Sequence, residues 1–331
     1  MSLLSERVAN LPDADEASRR DARTRADNVL RPVGALHWLD DVAVWTAGWQ
    51  RSSAPSVERP TALVFAADHG VTAAGVSSYP SEVTAAMLDA TRQHKATINA
   101  FAAAVGATVR AVDVGVGRPT ADMRHGPALT PERFDEVTAT AFAAVDELET
   151  DLLVLGELGI GNTTAAAAVA AAFAGGEATV WVGRGTGVDD AGLERKRSAV
   201  QSAVRRIAGV VEPFEILREV GGAELVGMAA AAIAARHRSI PVVLDGYICT
   251  ASMLALHAAD PSALDHCVVG HCSAEPGHRR LLERLGKRPL LDLDMRLGEG
   301  SGAMAAVPLV SMACAGVVNV ATFDEWFGPG N

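Results

Sequence analysis

Seven short apolar runs recur along the chain from residue 62: "ALVFAAD" (62–68), "ATVRAVDVG" (107–115), "DLLVLGE" (151–157), "ATVWVGR" (178–184), "IPVVLDG" (240–246), "HCVVGH" (266–271) and "PLLDLD" (289–294). Each ends in glycine or a polar loop and is followed by residues of helical propensity, many of them alanine. A strand that reads as a nearly continuous apolar run is buried on both faces, which requires helices on both sides of a parallel sheet. The chain therefore reads as α/β, a Rossmann-like, doubly wound, mostly parallel sheet with a smaller helical lobe. Residues 1–55 look helical and lead into "SSAPSVERP"; with the C-terminal helix they are expected to form that lobe, and residues 56–331 the Rossmann-like domain.

The balance of 29 Lys and Arg against 40 Asp and Glu gives a net charge of -11, so no basic footprint for nucleic acid or an anionic membrane is present. The polar start "MSLLSERVANLPDADEASRRDARTRADN" lacks the apolar core of a signal peptide, and a cytoplasmic location is expected. "TTAAAAVAAAFAGG" is shorter than the roughly 20 residues a membrane span requires and reads as a buried helix. Cys249, Cys267, Cys272 and Cys314 show no C-x-x-C spacing and are expected to be reduced thiols.

In an open parallel sheet ligands bind outside the carboxyl ends of the strands. "GELGIGNTT" follows a strand and opens a helix, so its backbone N–H groups and the helix dipole could hold an anion. It nearly spells a P-loop, but Asn162 stands where the lysine for a nucleoside triphosphate would be, so a monophosphate fits better. A dinucleotide fingerprint fails at Thr164, and "GRGTGV" fails likewise at Val188, which argues against a nicotinamide-dependent oxidoreductase. Lys196, two helical turns beyond "GRGTG", could reach back to an anion or lie in solvent; alone, solvent is the expectation.

His271, Cys272 and His278 match no familiar metal spacing, and no metal or cofactor is expected. Asp68 and His69 point to opposite sides of an extended chain, so an orienting or turn-forming role suits them better than shared catalysis. "GEGSG" is not a nucleophile elbow. Glu299 stands apart: a carboxylate at a strand end, with Gly298 and Gly300 admitting a flat ligand, sits where desolvation could raise its pKa and make it a general base. The other reading is an acid at the start of the following helix.

Taken together, "ADHGVTAAGVSSYPSEVTAAML", "GELGIGNTT", "GRGTG", "VVLDGYICTAS", "GHCSAEPGH" and "RLGEGSGA" resemble, in order and spacing, the nicotinate-nucleotide:dimethylbenzimidazole phosphoribosyltransferases. The resemblance implies transfer of ribose 5-phosphate from nicotinate mononucleotide to 5,6-dimethylbenzimidazole, with small molecules as the only substrates and a homodimer as the assembly. It places Glu299 at the family's catalytic carboxylate and Glu157 at a second glutamate near the reacting centre. It puts Gly159, Gly161, Asn162, Thr163, Gly185, Lys196, Asp245, Gly246 and Ser273 around the nucleotide. Ser78, Tyr79, Pro80, Ala86, Met87 and Leu297 fall at the base pocket. Ala86 stands where the family often has glutamine, so a related purine, benzimidazole or phenolic acceptor stays open; "RPVGALHWLD" also departs from its N-terminal lysine-proline-glycine-leucine signature. A catalytically idle nucleotide sensor on the same sheet is the alternative of a different class.

Overall fold

The computed structural model describes residues 2–185 and 187–328; Thr186 of the "GRGTG" loop lies outside the described residues. Among the described residues six strands form one wholly parallel sheet: β1 (Pro60–Ala67), β2 (Thr108–Gly115), β3 (Leu152–Leu158), β4 (Val242–Leu244), β5 (Cys267–Cys272) and β6 (Pro289–Asp292). Their spatial order is β2-β1-β3-β4-β5-β6, so the chain steps outward from β1 to β2 and then resumes on the other side with β3. That reversal opens a crevice at the carboxyl ends of β1 and β3.

The strand sequences explain the layering. Along β1 and β3, Leu63, Phe65, Leu153 and Leu155 enter one apolar core, while Ala62, Val64, Leu152 and Val154 enter another on the opposite face. Alternation with period two thus sends successive apolar residues into two separate cores. Helices Pro131–Asp146 and Ala223–His237 cover the first face; Glu82–Arg92, Thr97–Ala104 and Ser301–Val318 cover the second. Edge strand β2 is exposed or half-buried from Thr108 to Asp113, with Arg110 and Asp113 exposed, and buried only at Val114 and Gly115.

The fourth run departs from the expectation of a strand. Residues 178–184 add no strand: Ala178–Trp181 is a single helical turn, and the sheet already pairs β3 directly with β4 through Leu153 and Val242. Left-handed Gly175 and Gly176 reverse the chain after helix Asn162–Ala174, the Trp181 indole donates to the Gly175 carbonyl at 2.7 Å, and Trp181 packs into the core. Its apolar composition reflects burial without pairing.

Helix Ser301–Val318 is apolar over 18 residues and packs on the sheet. Two glycines bring it unusually close. A Cβ on Gly156 of β3 would meet Gly300 N at 2.5 Å, and one on Gly270 of β5 would meet the Ala303 Cα at 2.5 Å. Helices Glu16–Asn28 and Trp38–Gln50 pack against this same helix, and the Arg25 guanidinium donates to the carbonyls of Val317, Val318 and Val320 around its end.

Candidate active site

A cavity of about 450 Å³ opens over the carboxyl ends of β3, β4 and β5. The loop and helix after β1 supply Tyr79, Val83, Thr84 and Met87; the turn after β3 supplies Gly159 to Thr163 without Gly161; the loop beyond β6 supplies Arg296 to Glu299.

Glu299 owes its place to backbone geometry. Gly298, Glu299 and Gly300 all have left-handed φ values, +87°, +64° and +82°. For a glutamate this conformation costs about 1–3 kcal/mol, strain that persists only where surroundings over-determine it. Three restraints do so: Glu299 N donates to the Glu157 carbonyl at 3.1 Å, and Asp245, at the end of β4, accepts from Gly300 N at 3.2 Å and Ala303 N at 2.8 Å. The carboxylate of Asp245 therefore serves as the cap of helix Ser301–Val318.

Glu299 is 4% exposed and its Oε2 has no hydrogen-bond partner. Burial raises its pKa, opposed by the Ile98 backbone N–H and assisted by Asp245. The glutamate that looked solitary in sequence has carboxylate neighbours. Glu157, on β3, is buried, and burial followed by the charges of Glu224 and Asp245 pushes its carboxyl well above the usual range; Glu299 adds to the push, and a hydrogen bond from Asn162 Nδ2 opposes it. Asn162 thus binds a carboxylate at the position where a P-loop has its lysine.

The other end of the cavity brings two cations and one acid together. Lys196, expected in solvent from its sequence context alone, is 1% exposed, and its Nζ donates to Thr163 Oγ1 and the Gly183 carbonyl, each at 2.9 Å. Burial depresses its pKa to about 8, against the pull of Glu275. Glu275 is raised by burial and lowered by Lys196 and Arg296. Arg296 donates to the Gly185 carbonyl at 3.1 Å.

Of the residues singled out in sequence, Tyr79, Met87, Glu157, Gly159, Asn162, Thr163, Gly185, Asp245, Gly246, Ser273, Leu297 and Glu299 line this cavity. Gly161 and Lys196 line a small adjoining hollow with Arg184 and Val188. Ser78, Pro80 and Ala86 are exposed and outside the lining; Ala86 sits on the solvent side of helix Glu82–Arg92. Asp68 and His69 do not line it either: Asp68 accepts from Gly117 N at 2.8 Å, and His69 Nε2 lies 2.6 Å from Glu224 Oε1 beneath the Gly159–Gly161 turn.

Sequence reasoning missed Thr84, Ile160, His271, Glu275, Arg296 and Glu224. Thr84 Oγ1 accepts from Ile160 N at 3.2 Å, joining two segments 76 residues apart. For Glu224 a signal existed, a lone acid in the otherwise apolar "GGAELVGMAAAAIAA". Arg296 and Glu275 sit within quoted motifs but in ordinary polar company.

Residues 11–326 match the sequence profile of a family described as "Phosphoribosyltransferase". The chain is 46% identical over 316 residues to the nicotinate-nucleotide–dimethylbenzimidazole phosphoribosyltransferase of Cereibacter sphaeroides, covering 95% of this chain and 93% of that one. It is 48% identical over 319 residues to the enzyme of that name from Novosphingobium aromaticivorans, covering 96% and 94%. The crystal structure of the Thermus thermophilus enzyme of that name superposes with a TM-score of 0.89 at 40% identity, covering 96% of this chain and 100% of that one.

Proposed function

Because the chain belongs to the nicotinate-nucleotide–dimethylbenzimidazole phosphoribosyltransferase family, we propose that it transfers the phosphoribosyl group of nicotinate mononucleotide to 5,6-dimethylbenzimidazole or a related base. Nicotinate and α-ribazole 5′-phosphate are the products. The observation that carries this reading is the arrangement of charge along one cavity, with Glu157, Asp245 and Glu299 clustered at one end and, at the other, Arg296 with Glu275 in the wall and Lys196 just behind it.

The donor has matching charges. Its phosphate suits the end formed by Thr163, Gly185, Ser273 and Arg296, with Lys196 behind Thr163 and the N-terminus of helix Asn162–Ala174 directed there. Its cationic pyridinium nitrogen, on the carbon that reacts, suits the carboxylates. Nicotinate departs as a neutral pyridine, so the leaving group needs no acid, and the transfer asks for no metal or redox cofactor.

One base suffices. As one benzimidazole nitrogen bonds to the anomeric carbon, the bond to nicotinate breaks, and the other ring N–H becomes acidic. Glu299, within reach of the cavity and desolvated, takes that proton. Attack opposite the departing ring inverts the β-linkage to α. Positive charge on the ribose in the transition state is met by Glu157, whose ionisation the cationic donor itself favours. Tyr79, Val83, Met87 and Leu297 offer apolar walls for a flat acceptor.

Four buried cysteines, all free thiols, suit a cytoplasmic enzyme, and the homodimer is carried over from the family resemblance. Mixing nicotinate mononucleotide with a panel of benzimidazoles, purines and phenols tests the activity: nicotinate release with at least one base is expected. Tight mononucleotide binding without release would instead support the idle sensor.

A further inference from the structure

Two buried imidazoles stand at and behind the cavity wall and have no role in the transfer as described. His271 lies in β5 and is 3% exposed; His278 opens helix His278–Leu285 and is wholly buried. Their rings meet edge to face with centroids 6.2 Å apart. Room for the His271 ring is made by Gly246 and Gly302, since a Cβ on Gly302 would lie 2.0 Å from its Cδ2 and one on Gly246 2.9 Å from its Nε2.

One nitrogen of His278 has a hydrogen-bond partner that fixes its tautomer, and one nitrogen of His271 has a carboxylate beside it that favours a proton there. The Ser273 backbone N–H donates to His278 Nδ1 at 2.7 Å, so Nδ1 bears a lone pair and the proton of the neutral ring is on Nε2. Burial, with His271 and Arg279 nearby, holds the pKa of His278 down to about 3, which keeps that ring neutral. His271 Nε2 lies 3.4 Å from Asp245 Oδ1, at ion-pair distance without hydrogen-bond geometry; a carboxylate only accepts, so its charge favours the proton on Nε2 and, in the neutral ring, the lone pair on Nδ1. The two remaining atoms are thus a donor, His278 Nε2, and an acceptor, His271 Nδ1. Both are buried without a partner. Adjacent rings carry complementary unmet groups.

We propose that His278 and His271 form a hydrogen-bond relay, closed by one bridging water between the two rings, that runs from the Ser273 backbone to Asp245 and couples the phosphate end of the cavity to the Glu299 loop. Asp245 is the junction, because its two oxygens also hold Gly300 N and Ala303 N, just past Glu299 in the turn that carries it. Both histidines are positioning residues. The assignment of the two ends rests on the function proposed above; the tautomers do not.

The test is nitrogen-15 NMR of the histidine side chains in the full-length protein at neutral pH. Both His271 and His278 are expected as Nε2–H tautomers. The variant His278→Asn keeps an acceptor for the Ser273 N–H and removes the Nε2 donor. It is expected to shift the His271 ring signals and lower kcat by roughly ten-fold or more, with KM for the mononucleotide little changed, because misplacement of a catalytic group acts on the chemical step. An Nδ1–H tautomer of His271 in the unmodified protein overturns the proposal. So do unchanged His271 signals and unchanged kcat in a folded His278→Asn. If that variant fails to fold, the tautomers of the unmodified protein decide. An unmodified protein that releases no nicotinate sinks the functional reading and leaves the NMR result standing on its own.

Discussion

The backbone N–H of Glu299 donates to the carbonyl of Glu157 at 3.1 Å, so two carboxylates separated by 142 positions in sequence are fixed to one another through the main chain. Around them lie Asp245 and Glu224: both add to burial in raising the Glu157 carboxyl, and Asp245 adds to burial in raising that of Glu299. A site built this way has acids whose charge is costly until a cation arrives.

Glu299→Gln keeps the hydrogen bonds of its turn, which are all to backbone and to Asp245. The fold and mononucleotide affinity are expected to survive, while kcat falls by about two orders of magnitude or more, as removal of a general base does. Calorimetric titration with the mononucleotide beside a nicotinate-release assay measures both. Near-normal turnover takes Glu299 out of the role of base.

The pH profile follows from the same burial. A base acts only when deprotonated, and the Glu299 carboxyl is raised above its ordinary range. Activity is therefore expected to decline, on lowering pH, at a value above that of an exposed glutamate. A kcat profile flat down to the ordinary carboxylate range contradicts this.

Glu157→Gln is expected to stabilise the protein while impairing it. With a raised native pKa, the carboxyl favours folding fully below its unfolded pKa, and that contribution is lost as pH rises through the native value, so at neutral pH its charge opposes folding. A glutamine can still accept from Asn162. Stabilisation of roughly 1–2 kcal/mol at neutral pH, shrinking under acid conditions, is expected with a loss of kcat. Thermal melts at several pH values read the first effect, and a variant less stable than the parent at neutral pH refutes it.

Lys196 has the opposite sign. Its pKa of about 8 means that near pH 8 about half the molecules lack the proton, and a bound phosphate favours the charged form. Mononucleotide binding at pH 8 is expected to take up a fraction of a proton. Calorimetry in buffers of differing ionisation enthalpy detects it, and Lys196→Met abolishes it while raising KM for the donor.

Gly156→Ala tests the seat of the loop. The added methyl would lie 2.5 Å from Gly300 N and 2.6 Å from the Glu299 carbonyl, both backbone atoms that cannot swing aside. A loss of about 1–3 kcal/mol in stability is expected, with turnover reduced beyond what the remaining folded fraction explains. Chemical denaturation paired with an assay at low temperature separates the two.

Much of this was legible in the chain. Six of the seven apolar runs are strands, since period-two burial on both faces is a local property and leaves its mark in consecutive residues. The turn "GELGIGNTT" joins β3 to helix Asn162–Ala174 as read, whereas the left-handed φ values of Gly298, Glu299 and Gly300 are a feature of the folded turn. The run at 178–184 misled because burial alone makes a sequence apolar, and only the direct β3–β4 pairing shows that it has no place in the sheet.

Local sequence was enough to specify a parallel sheet, the loops at its carboxyl ends and the residue types those loops carry, because hydrophobic period and turn chemistry act over a few residues. Packing was needed to bury Lys196, to give Glu299 other acids as neighbours, and to bring His69 to Glu224 across 155 positions. Charge state depends on solvent and on what lies within a few ångströms, and neither is set until distant segments pack together.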